Sequence, residues 1–257
     1  MIADGEIDFA TMAQLFGVSP MTIRRDIEAL EDRGVVRRIL GGAIAFGKST
    51  EPSFEARAAE DTEGKKRIAQ AAVQLLIPSE TVILDSGSTV LMVAREIRGR
   101  RLGLTVITPS ILVAVELANE PDTTIILTGG LVRPGELSLI GREAEDAFRN
   151  YNCDTYVMGV AGAHAERGYS DYHRDEGNVK KSAIRSADRV IAVLDELKLG
   201  RVQLMKVASL GDVEALVTDG DPNDPTVVAA REAGVQVVCV PNERSTSPDE
   251  QSAEEQQ

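Results

Sequence analysis

The chain has 257 residues, with 28 Lys and Arg against 41 Asp and Glu for a formal charge of -13, 43% apolar and 4% aromatic residues, and no Trp. That length suits a small domain followed by one large enough to bury its own core, and the composition is that of an ordinary soluble protein. The negative charge excludes a protein that coats nucleic acid by neutralising many phosphates, and the absence of a long apolar run or a basic-then-apolar leader in Met1 to Asp8 speaks against a membrane span or secretion signal.

A cytoplasmic protein is therefore expected. Cys153 and Cys239 stand far apart with no C-x-x-C spacing, so both are expected to be buried and reduced, with no metal site or cofactor indicated.

In chain order, Ala10 to Phe16 carries apolar residues at helical spacing, and Gly17 supplies the tight turn between two helices, with Val18 expected to plug it. Ser19 is a good N-cap and Pro20 a good first helical residue for a second helix running toward Leu30. Ile23, Ile27 and Leu30 fall at i, i+4 and i+7 and should face a core. That leaves Met21, Thr22, Arg24 and Arg25 outward, where two adjacent Arg can reach phosphates or guanine edges. Gly34 ends the helix, and Val35 to Ile44 read as two short strands joined at Gly41-Gly42. This is a wing, whose Arg37 and Arg38 would lie beside the DNA backbone. A basic pair alone more often solvates a surface helix; a capped helix, paired Arg and a wing with its own Arg pair together point to DNA. Residues 1–48 carry six basic side chains (Arg24, Arg25, Arg33, Arg37, Arg38 and Lys48) against seven acidic ones.

The string SPMTIRRDIEALEDRGVVRRILGGA, Ser19 to Ala43, resembles the signature of the DeoR family of bacterial repressors, winged-helix regulators of sugar catabolism, and the resemblance runs through nearly the whole chain. Two departures stand out. Only Met1 to Ala3 match the end of the family's first helix, which implies a DNA domain lacking most of that helix and a true start codon further upstream. Leu40 replaces the His usual before the wing's Gly pair.

GKSTEPS at 47–53 reads as punctuation, and the linker is placed at 49–62. Beyond it, apolar runs at 81–85, 104–108, 123–129, 154–160, 189–195, 215–219 and 235–240 read as strands of a sheet covered on both faces. The stretches 65–76, 89–98, 111–118, 176–186 and 226–233 read as crossover helices. The expected fold is α/β: an N-terminal winged helix-turn-helix at 1–48, then a doubly wound effector domain at 63–241, with a polar, disordered tail at 242–257.

The strand ending at Asp85 runs into Ser86, Gly87, Ser88 and Thr89 at the start of a helix, where hydroxyls and free N–H groups make a ready anion site. Glu176 and Lys180 lie one helical turn apart, which suits a surface ion pair as well as ligand groups. The resemblance implies an effector domain of ribose-5-phosphate isomerase-like fold that binds a phosphorylated sugar. It brings in Thr108 after the second strand, Gly129 and Gly130 after the third, and Asp154, Gly159 and Gly162 around the fourth, all expected at or beside the carboxyl ends of strands. Asp195 and Lys198 match the family's D-x-S-K-x-G, with Leu197 in place of Ser, and Pro109 stands where the family usually has Asn. His164 and His173 are expected as exposed loop residues.

The implied function is repression of a carbohydrate operon, with operator DNA, a phosphorylated sugar and a second or fourth copy of the chain as partners, and no turnover. Two alternatives stay open. An isomerase-like enzyme could use Asp85, Glu176 and Lys198 as acid or base, though it would not need the N-terminal segment. A sugar sensor that has lost DNA binding is the other.

Overall fold

The computed structural model describes residues 6–32, 36–39, 42–45 and 51–240, and the chain divides into two compact units, Met1–Pro52 and Ser53–Gln257. The expectations for Met1 to Gly5, Gly34, Val35, Leu40, Gly41, the side chains of Leu30, Arg37 and Arg38 and the tail lie outside the described residues.

The first unit runs β1 (Glu6–Asp8), α1 (Phe9–Phe16), α2 (Pro20–Asp32), β2 (Val36–Ile39) and β3 (Gly42–Ala45). Asp8 caps α1 by accepting from the Thr11 N–H at 2.7 Å, and Gly17 ends it in the left-handed region at φ 64. The Ser19 hydroxyl accepts from the Thr22 N–H at 3.1 Å and Pro20 opens α2, as the cap chemistry predicts. Phe9, Ala13, Ile23, Ile27 and Ala43 close a small core. The wing strands β2 and β3 pair antiparallel, and β1 adds a third strand on the far side of β3. Val18 does not plug the turn: it is exposed and stands outside the small core.

The second unit begins with α3 (Phe54–Ala59), inside the stretch assigned to the linker, because Ser53 caps it through the Ala56 N–H. Then follow α4 (Thr62–Gln74), β4 (Thr81–Leu84), α5 (Ser88–Ile97), β5 (Thr105–Thr108), α6 (Ile111–Leu117), β6 (Thr124–Leu127), β7 (Leu131–Arg133), β8 (Ser138–Ile140) and α7 (Arg142–Ala147). The rest are β9 (Cys153–Gly159), β10 (Gly162–His164), β11 (Gly168–Asp171), α8 (Arg174–Arg185), β12 (Ala187–Leu194), β13 (Met205–Ala208), β14 (Ala215–Thr218), α9 (Pro225–Glu232) and β15 (Gln236–Cys239).

Seven parallel strands in the order β15-β14-β12-β9-β4-β5-β6 form the central sheet. Each matches one of the apolar runs. Strand alternation sends Val82, Leu84, Val106 and Val157 into a core with Ile68, Val93, Ile97, Val113 and Leu117 of α4, α5 and α6. Ile83, Ile107, Tyr156 and Met158 go to the opposite core with Ala144, Val179 and Ala230 of α7, α8 and α9. Helices on both faces require strands that are apolar on both faces, so the sheet is doubly wound. Two small additions were not legible: the hairpin β7-β8 and the antiparallel sheet β10-β11-β13. Cys153 is buried, but Cys239, on an edge strand, is only half-buried; both thiols are free.

Candidate functional site

On the first unit, Met21, Thr22, Arg24 and Arg25 are exposed, on the side of α2 away from buried Ile23 and Ile27. The Arg24 guanidinium lies 5.9 Å from the centre of the Phe9 ring, an arrangement that steadies a cation without neutralising it. Ser19 and Thr22 are partly spent on each other, their hydroxyls 2.9 Å apart at the helix cap. Arg37 and Arg38 lie on β2, in register with Ile44 and Ala43 of β3.

In the second unit the chain adds β4, β5 and β6 in one direction, then crosses back to place β9, β12, β14 and β15 on the other side of β4. The strand order reverses between β4 and β9, and the carboxyl ends of strands at such a switch point form the usual ligand crevice. Asp85 follows β4 there, and its carboxylate accepts from the Tyr156 hydroxyl at 2.8 Å, the Gly159 N–H at 3.1 Å and the Lys180 Nζ at 2.6 Å. Lys180 also donates to the Gly159 carbonyl at 2.9 Å and lies 3.4 Å from Asp171. Burial pulls the Lys180 pKa down, but Asp85, Asp171 and Glu176 outweigh it and hold the ammonium above its ordinary range. Burial pushes the Asp171 carboxyl up to about 6, against the pull of Lys180.

Glu176 and Lys180 therefore do not form a surface pair. Both are buried, and Glu176 instead accepts from Ser138 Oγ at 2.5 Å and Arg133 Nη1 at 2.8 Å. Burial raises the Glu176 pKa, yet Lys180, Ser138 and Arg133 more than compensate and keep it below the ordinary value.

Gly87 is the N-cap of α5, at φ 112, and offers no side-chain cap. Next to it, Ser88 Oγ and Thr89 Oγ1 are buried with no hydrogen-bond partner among the described residues. Buried hydroxyls are normally satisfied, so two orphans at one helix N-terminus, beside free first-turn N–H groups, fit an anion. Ser86 lies half-buried, its N–H turned back to Asp85.

Thr108 ends β5 and its hydroxyl accepts from the Ser110 N–H at 3.0 Å, shaping the loop. Gly129 and Gly130 both have positive φ, and a Cβ on Gly130 would stand 2.6 Å from the Ile140 carbonyl; only glycine lets β8 return so close. Gly162 lies equally tight against the Arg201 carbonyl. Asp195, at the end of β12, faces Lys198 at 3.3 Å and Lys65 at 3.8 Å. With β12 two strands from β4, this cluster sits about 10 Å along the same crevice.

One placement is corrected. Asp154 belongs to the amino ends of the strands: exposed near the start of β9, it accepts from the Thr81 N–H at the start of β4 at 2.7 Å. In a parallel sheet that is the side opposite the crevice. The histidines differ too: His164 and His173 are half-buried, at the end of β10 and the N-cap of α8.

Sequence reasoning missed Lys65, Arg133, Ser138, Tyr156 and Asp171. Lys65 carried a usable signal, since it falls at i, with Ile68, Ala69 and Ala72 at i+3, i+4 and i+7, on the buried face of α4. Burial lowers its pKa, with Asp195 opposing and Lys198 adding to the fall. Among the described residues no cluster of His, Cys, Asp and Glu could hold a metal ion, and no helix is long and apolar enough to cross a membrane.

The sequence matches the DeoR-like helix-turn-helix domain over residues 3–48 and the DeoR C-terminal sensor domain over residues 60–220. It is 34% identical to a putative aga operon transcriptional repressor of Escherichia coli O157:H7 over 240 residues, 92% of this chain and 88% of that protein. It is 34% identical to the HTH-type transcriptional regulator GlpR of Haloferax volcanii, covering 89% of each, and 29% identical to the glycerol-3-phosphate regulon repressor of Escherichia coli K12, covering 85% and 86%. Among solved structures it is similar to ribose 5-phosphate isomerase A of Methanocaldococcus jannaschii, at 17% identity and TM-score 0.40 over 55% of each chain. With both halves of its architecture matched and relatives aligned along nearly their full length, the chain belongs to the DeoR family.

Proposed function

We propose that this protein is a transcriptional repressor of a carbohydrate-catabolic operon, controlled by a phosphorylated sugar bound at the carboxyl ends of β4, β9 and β12. The observation that carries the reading is the pair of orphaned hydroxyls, Ser88 and Thr89, at the N-terminus of α5, on a chain whose other unit exposes Arg24 and Arg25 on a capped second helix. The phosphate sits at α5; the charged groups at Glu176, Arg133 and Lys180 face the sugar hydroxyls, and Lys65 and Lys198 supply positive charge further along the crevice. Effector binding shifts the DNA-competent population, as linkage between two sites requires.

The site works by binding, without turnover. A general base must be free to take a proton near neutral pH, whereas Glu176 is held by Arg133 and Ser138, Asp85 by Lys180, Tyr156 and Gly159, and Asp171, though raised to about 6, lies against the Lys180 ammonium at 3.4 Å and accepts from the Tyr172 N–H. The protein acts in the cytoplasm as a homodimer or homotetramer, since winged-helix regulators read paired half-sites.

A thermal-shift panel of sugar phosphates and their unphosphorylated parents tests the effector, because a ligand that binds only the folded state raises its melting point. A gel-shift assay on the DNA flanking its own coding region tests the regulator. A melting shift with free sugars alone refutes the phosphate assignment, and no retarded complex with any such fragment refutes DNA binding by this chain. Conversion of ribose 5-phosphate to its ketose would establish the enzyme instead.

A further inference from the structure

The central sheet has two open edges, and they are treated differently. At β15, Arg67 Nε donates to the Val240 carbonyl at 3.2 Å, Arg231 lies 3.6 Å from Cys239 Sγ, and Pro241 follows in sequence. Charges and proline at an edge are the usual means of keeping it from pairing. The opposite edge lacks them inside the strand, and Pro121 and Asp122 stand only before it. Residues 123–130, TTIILTGG, hold no charge and no proline. Thr124 and Thr128 donate their N–H groups to the carbonyls of Leu104 and Thr108 at 3.0 and 3.1 Å. Ladder alternation then turns the N–H and C=O groups of Ile125 and Leu127 toward the open side.

The hairpin β7-β8 continues from this edge through Gly129 and Gly130. A two-stranded hairpin is marginal without cover, and successive residues of β7 lie on opposite faces. Strand β8 is covered, with Ser138 and Leu139 buried, but Leu131 is 68% and Val132 49% exposed, so both faces of β7 are bare. Leu127 and Leu137 are 44% and 41% exposed beside them. These four side chains leave on the order of 350 Å² of apolar surface uncovered, close to half of what each partner of a standard interface buries. The strand backbone and its threonines provide a polar remainder.

We infer that the β6 edge and the β7-β8 hairpin form a self-association surface, on which a second copy of this chain docks the same elements across a two-fold axis. An edge strand pairing antiparallel with its own copy is self-complementary, which is what an isologous interface requires. The neutral charge of 123–130 lets two copies of an otherwise strongly acidic chain meet there without repulsion. This inference stands on the exposed edge and hairpin and does not need the DNA reading, although the same hairpin carries Arg133 and Ser138 of the proposed effector site.

Sedimentation velocity on the full chain tests it, with Leu127→Lys, Leu131→Lys and, as a control elsewhere on the second unit, Leu204→Lys at a residue 84% exposed. The expected result is an associated wild type, at least a tenfold weaker association in either edge variant with melting point and circular dichroism unchanged, and a control that sediments as wild type. Should Leu127→Lys disturb folding, Leu131→Lys decides, since its side chain is mostly in solvent already. A monomeric wild type overturns the inference. So do edge variants that associate as tightly as wild type, or a control that dissociates as they do.

Discussion

Replacing Lys180 by Met removes a cation while keeping most of its volume. The ammonium is buried, 2.6 Å from Asp85 and 3.4 Å from Asp171, and also serves the Gly159 carbonyl. Its loss leaves two buried carboxylates facing each other with no counter-charge, a change that costs about 3–5 kcal/mol. For a unit of this size each kcal/mol moves the melting point by roughly 2–4 °C, so at pH 8 the variant should melt about 10 °C below wild type. The pH dependence identifies the cause. Burial already holds Asp171 up to about 6 with Lys180 present, and without that ammonium it rises further. A carboxyl whose folded pKa lies above its unfolded value of about 3.9 favours the folded state once protonated. Its contribution is fully present below that unfolded value and is lost as pH climbs through the folded one. The deficit of Lys180→Met must therefore shrink between pH 8 and pH 5. Calorimetry at the two pH values measures it. A deficit under about 2 °C at pH 8, or one equal at both, would show that Lys180 does not hold this cluster together.

Ser88→Ala and Thr89→Val should abolish the melting shift given by a phosphorylated sugar while leaving the unliganded protein as stable as wild type or slightly more so, since neither hydroxyl has a partner to lose among the described residues; a clear loss of unliganded stability would contradict their role. Arg25→Ala should weaken operator binding by about 1–3 kcal/mol and relax its sequence preference, while Arg37→Ala and Arg38→Ala should weaken all DNA alike and flatten the salt dependence by about one ion each, as titrations at several salt concentrations would reveal. Gly130→Ala forces a Cβ to 2.6 Å from the Ile140 carbonyl at φ 112, so chemical denaturation should show a loss of about 2–4 kcal/mol.

Much of this fold could be read in the sequence because its strands are buried on both faces. A run such as TVILD needs no alternation to be recognised, and the strand Thr81–Leu84 lies within one residue of it. The short strands GAH, GYSD and SLI offered no such pattern; all three are held by antiparallel pairing, and GYSD and SLI also by contacts with α8, which local sequence does not express. The same divide runs through the site. Ser88 and Thr89 follow an apolar strand and open a helix, so their chemistry is local. The partners of Glu176 lie 38 and 43 residues away, and helical spacing therefore suggested Lys180, its neighbour on α8, when the fold supplies Arg133 and Ser138. Asp154 was placed by its nearness to a strand, without regard to which end of that strand it occupies.

The seam between β4 and β9 has a temporal meaning as well. Asp85 meets its partners only across separations of 71, 74 and 95 residues, while β4, β5 and β6 are joined to each other by short crossovers. Contacts so distant in sequence carry a large loop-closure cost and form late in folding. During synthesis, the half of the sheet that bears the α5 loop, the proposed anion site, emerges well before the half that supplies Tyr156 and Lys180. Until those arrive, Asp85 has no cation and the crevice has one wall. On the proposed reading, a chain able to bind a phosphorylated sugar is one in which β9 and α8 have already joined β4, and a fragment ending before Cys153 should carry the proposed phosphate loop without being able to use it.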